Sequence, residues 1–92
     1  LIYPASTDWH ATSKTELVLT GSDGVPIATT RIDIPRGGSR FWRVSEMFGS
    51  EHIAKVGRGG YVLIRDTTCR LFGYHGLIRD GHAFSLDHMF GF

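Results

Sequence analysis

The chain has 92 residues, 41% hydrophobic and 21% charged, with a net charge of +1. That composition excludes disorder, and the length fits one domain, residues 1–92, that buries only about 60–65% of its unfolded surface and has little room for a deep enclosed active site. Near-neutrality predicts no nucleic-acid partner and no membrane partner, and no apolar run approaches the ~18 residues needed to span a bilayer.

Residues 1–13 are mixed, with Pro4 removing a backbone donor in an extended or turn segment. Thr15 to Thr20 alternates Leu17 and Leu19 against Glu16, Val18 and Thr20, the period of a strand. Gly21-Ser22-Asp23-Gly24 is a turn signal. From Pro26 to Ile34 a second strand sets Ala28, Thr30, Ile32 and Ile34 on one face, completing a hairpin. After the punctuation Pro35–Ser39, Arg40 to Val44 reads as a third strand. Ser45 is a candidate N-cap for one helical turn, Glu46-Met47-Phe48, ended by Gly49.

Ser50 to Gly60 reads as a loop. Tyr61 to Arg65 is a fourth strand and Cys69 to Tyr74 a fifth, running on through Gly73 as a bulge toward Ile78. Arg79-Asp80-Gly81 signals a hairpin turn, and Ala83 to Leu86 a last strand. No segment between strands is long enough for a crossover helix. The expected fold is therefore all-β: an antiparallel β-sandwich or flattened barrel of about six or seven short strands, with one helical turn near 45–49.

Two of these strands carry bulky groups on both faces. Phe41 opposes Trp42, and Leu71 opposes Phe72. A two-layer domain buries one face of each sheet, so the other face needs a ligand, a terminal segment or another subunit. With the apolar tail Met89-Phe90-Gly91-Phe92, this points to a homo-oligomer.

Eight of the ten basic residues are Arg, whose planar fork suits carboxylates and aromatic faces. Trp9, Trp42 between Arg40 and Arg43, and Arg70 near Phe72 and Tyr74 are the candidates for a stacking and hydrogen-bonding face toward a small molecule or protein. The ligand-binding set is thus Trp9, Arg40, Trp42, Arg70 and Tyr74. An alternative uses the C-terminal histidines. His75, His82 and His88 with Asp80 or Asp87 are the ligand types of zinc, iron or manganese, although their spacing matches no short ligand motif. The same residues serve equally as ordinary polar groups.

The lone Cys69 excludes an internal disulfide and leans toward a reducing, cytoplasmic compartment. It reads as a small buried hydrophobe rather than a nucleophile. Gly57-Arg58-Gly59-Gly60 lacks the lysine and following helix of a phosphate loop and reads as a connector. No catalytic set emerges, and no cofactor is implied outside the metal alternative. No charged-then-apolar leader is visible. The first residue is Leu1 rather than Met, as expected of a trimmed product or of a domain of a longer surface protein.

The order of a turn at Ser22-Asp23-Gly24, a strand closing in Ile34-Pro35, a short strand, the turn Ser45–Gly49 and the pair Tyr61–Arg65 and Arg70–Tyr74 resembles the small bacterial β-sandwich modules of the sensory-rhodopsin-transducer type, over roughly residues 12–78. The resemblance implies a homo-oligomeric signalling or ligand-binding protein rather than an enzyme. It carries over no functional residues.

Overall fold

A computed structural model describes residues 1–4, 10–67, 71–79 and 83–88. Strands dominate: β1 (Thr15–Thr20), β2 (Pro26–Ile32), β3 (Tyr61–Arg65), β4 (Tyr74–Arg79) and β5 (Ala83–His88), with two short helices, α1 (Val44–Phe48) and α2 (Ser50–Ile53), between β2 and β3. β1 is the centre of an open antiparallel sheet of order β2-β1-β3, and β4 and β5 form a separate antiparallel hairpin.

The β1–β2 turn closes because Gly24 takes a φ of 81°, cheap only for glycine. The Val25 amide donates to the Asp23 carboxylate at 3.0 Å, a local Asx contact. The expected alternation of β2 holds: Ala28 and Thr30 are half-buried and Ile32 is buried, whereas Thr29 and Arg31 are exposed. A register shift between Leu19 and Thr20 makes Ile27 the extra residue, and Ile27 packs against the core from there.

The core gathers Tyr3, Leu17, Leu19, Ile32, Ile34, Phe48 and Leu71, with Trp42, Met47, Val62 and Ile64 packed around it. Tyr3 and Leu71 join through a second, smaller ladder. Ile2 bridges Ser39 on one side and Phe72 on the other, with paired amide bonds of 2.8 and 3.0 Å between Ile2 and Phe72. The Tyr3 hydroxyl is buried but satisfied, donating to the His10 carbonyl at 2.8 Å.

One buried polar relay ties the strands together. The Ile34 amide donates to Ser13 Oγ at 2.9 Å. Ser13 Oγ lies 2.9 Å from Thr15 Oγ1, which reaches Asp66 Oδ2 at 2.8 Å. With each hydroxyl passing its proton onward, the chain ends on the carboxylate and leaves no orphan. Desolvation is offset only when every member is bonded in this way.

Several expectations need correction. Arg40 to Val44 is not a strand. Only Ser39 makes a bridge there, and helix α1 begins at Val44. The helix is preceded by Arg43 rather than capped by Ser45, and it has no side-chain cap bond. Residues 50–60 are not all loop, because α2 follows directly. Gly49, at φ 82° and ψ 154°, breaks the two helices apart, a region essentially reserved for glycine. The broken helix leaves the Phe48 carbonyl to accept from His52 Nδ1 at 2.9 Å. The second strand ends at Ile32 rather than Ile34. Leu71–Gly73 carries only the Phe72 bridge, so the strand starts at Tyr74, and the last strand runs on to His88.

Candidate functional site

The ladder of residues 1–3, 38–40 and 71–73 decides what its outer side presents. Residues directly opposite one another share a face, so Ile2, Ser39 and Phe72 point one way, and the buried Tyr3 and Leu71 point the other. Phe72 is 53% exposed and Ile2 38%. Next to this rung, Trp42 turns inward against the core while Phe41 is 83% exposed, and Tyr74 follows Phe72 at 56%. Four large apolar or aromatic side chains along these segments are thus each more than a third exposed. Solvated singletons are ordinary, but contiguous groups of this kind mark interaction surfaces.

Arg40 belongs to the same ladder. Its amide donates to the Leu1 carbonyl at 2.9 Å, and its carbonyl accepts from the Leu1 ammonium at 2.8 Å. Burial pushes that ammonium below its ordinary value of 8.0. The register set by Ile2 pairs Arg40 with Leu1, one position on from Ile2, so its side chain takes the face opposite Ile2 and Phe72. Of the expected binding set, Arg40, Trp42 and Tyr74 are brought to this region, with Trp42 as a half-buried support rather than an exposed platform. Trp9 and Arg70 lie outside the described residues. Phe41 and Ile2 were not in the expected set. The signal for Phe41 was its opposition to Trp42, since one of two adjacent aromatic groups in extended chain must face outward.

The hairpin adds a second bare region. Tyr74, His75, Gly76 and Leu77 are all exposed, so both faces of β4 meet solvent there, and Leu77 is 77% exposed.

Of the expected metal ligands, His75 lies on β4 and Asp87 and His88 on β5. His75 pairs in register with Asp87, and Tyr74 with His88. These are adjacent ladder positions, which belong to opposite faces. Arg79 pairs with Ala83, so the cross-strand neighbour of His75 is Asp87, not residue 82. Asp80 and His82 lie outside the described residues, as does Cys69. Among the described residues, no three His, Cys, Asp or Glu side chains gather as a metal-binding group, and no helix is long and apolar enough to cross a membrane.

The chain matches no protein-family model, no curated protein and no solved structure.

Proposed function

We propose that the chain is a non-catalytic β-module that self-associates, and engages a protein or small-molecule ligand, through the face carrying Phe41, Phe72, Tyr74 and Ile2. The observation behind this reading is the 83% exposure of Phe41, with Phe72 and Tyr74 each more than half exposed. Burying an aromatic or aliphatic side chain of this size stabilises by roughly 1.5–3 kcal/mol. Three or four such groups supply enough to hold two copies together once the entropy of association is met.

The same reading takes the β2-β1-β3 sheet and the 1–3/38–40/71–73 ladder as the two layers of a flattened sandwich. Its support is that Tyr3 and Leu71 share one core cluster with Leu17 and Leu19. Self-association is also what the resemblance to transducer-type modules implies.

Sedimentation equilibrium from micromolar to millimolar concentration tests the proposal. The weight-average mass is expected to rise above the 10.2 kDa of one chain, and Phe41→Arg, at a site too exposed to disturb folding, is expected to hold it there. A wild-type chain that stays monomeric throughout refutes the self-association.

A further inference from the structure

The outer face of the three-stranded sheet carries a groove that the aromatic face does not use. It has a volume of about 610 Å³ and is lined by Lys14, Glu16, Thr29, Arg31, Arg65 and Thr67, among others. The register explains the lining: Glu16 on β1 stands directly opposite Arg31 on β2 and Arg65 on β3. The three form one rung across the sheet, and Lys14 lies two residues before Glu16, just ahead of the central strand.

The two arginines are not equivalent. Arg65 Nη2 donates to Glu16 Oε1 at 3.2 Å, which leaves half of that carboxylate's accepting capacity open. Arg31 has no partner among the described residues, and neither has the Lys14 ammonium. The hydroxyls of Thr29 and Thr67 are likewise free. The lining therefore offers an unpaired guanidinium on β2, an unpaired ammonium just before β1, a carboxylate with a spare oxygen between the two arginines, and threonine hydroxyls. Asp33, exposed on the same face beyond Arg31, does not line the groove.

This mixture selects among ligands. Glu16 stands directly opposite Arg31, so a compact phosphate dianion meets about twice the like-charge repulsion that a single carboxylate does. A neutral sugar leaves Arg31 and Lys14 unused. A sugar acid carries one carboxylate at one end, suited to the fork of Arg31, and donor hydroxyls at the other, suited to the free oxygen of Glu16. Tyr61 and Leu63, exposed along β3 on the same face, continue the platform with apolar surface on which the C–H side of a pyranose ring can rest. The volume lies within the range of small-molecule sites, about 300–1,000 Å³.

We infer that the outer groove of the β2-β1-β3 sheet binds a hexuronic acid unit, its carboxylate on Arg31 and Lys14 and its hydroxyls on Glu16 and the flanking threonines. The site shares no residue with the association face, so it stands whether or not the chain self-associates.

The test is an amide chemical-shift titration of the 92-residue chain with glucuronate, glucose and inorganic phosphate in parallel, on wild type, Arg31→Gln and the loop variant Arg58→Gln. Saturable glucuronate shifts are expected, centred on Lys14, Glu16, Thr29 and Arg31. Glucose is expected to bind at least tenfold more weakly. Arg31→Gln is expected to weaken glucuronate roughly tenfold, as loss of a charge-assisted contact does, while Arg58→Gln leaves it unchanged. Absence of saturable glucuronate shifts overturns the inference. So does equal weakening by both variants, and so does phosphate saturating the groove as tightly as glucuronate, which marks a simple anion site.

Discussion

The β2-β1-β3 sheet and the β4–β5 hairpin are built from similar strands and end in opposite states. β3 reads Tyr-Val-Leu-Ile-Arg and β4 reads Tyr-His-Gly-Leu-Ile-Arg, so local propensity barely separates them. What differs is company. β3 lies against a central strand whose every residue but Glu16 is buried. There Val62 and Ile64 reach the core, Arg65 meets Glu16, and Asp66 ends the polar relay. β4 has β5 as its strand partner, and its side chains from Tyr74 to Leu77 meet solvent. A two-stranded ribbon is marginal in water by itself. The same tetrapeptide, Leu-Ile-Arg-Asp, occurs at 63–66 and at 77–80, and its leucine is 43% exposed in the sheet but 77% exposed in the hairpin.

That contrast can be broken by mutation. The largest effect belongs to the central strand: Leu17→Ala, at a fully buried site, is expected to cost about 2–5 kcal/mol in urea unfolding. Next comes the relay. Asp66→Ala removes the final acceptor of the Ser13–Thr15 chain, and the expected loss is about 1–3 kcal/mol, the range for stranding a buried polar group. Gly49→Ala tests the break between α1 and α2 and is expected to cost about 1–3 kcal/mol, because ψ 154° with positive φ suits glycine alone. In the hairpin, Leu77→Ser is expected to change monomer stability by less than about 0.5 kcal/mol, as exposed substitutions do. A loss comparable to Leu17→Ala would show that the hairpin is packed within one chain.

The smallest effect is electrostatic. The Leu1 ammonium is pushed down from its ordinary value by burial, so the unfolded chain holds that proton more tightly than the folded one. Stability from this group is then complete above pH 8 and falls away as pH drops through the lowered folded value. Urea midpoints of the free and N-acetylated chains should converge above pH 8 and separate below it, the acetylated chain being the more stable. Parallel midpoints across that range would contradict the assignment.

Much of the fold was legible where pattern and partner agree. Thr15–Thr20 and Tyr61–Arg65 read correctly end to end, because their alternation coincides with a real ladder on β1. The Asp23-Gly24 turn was legible from its backbone chemistry. Arg40–Val44 misled because aromatic and β-branched residues favour strands only when a neighbouring strand exists to pair with, and here Trp42 packs inward with no ladder beside it. The four residues of α2 carry no periodic pattern to detect, and only the conformation of Gly49 reveals them. At the candidate site, the aromatic and arginine composition pointed to Arg40, Trp42 and Tyr74. The bare Phe41 and Ile2 depended on the ladder around residue 2, a pairing across some 70 residues that no local window contains.

The central claim is that the Phe41–Phe72 face is covered by a second copy, and amide hydrogen exchange read at low and high protein concentration addresses it directly. Protection of Ile2, Arg40, Phe72 and Tyr74 is predicted to rise with concentration, while β1 amides exchange at a constant rate. Exchange at those four positions that is indifferent to concentration, across the range where two copies would meet, contradicts it.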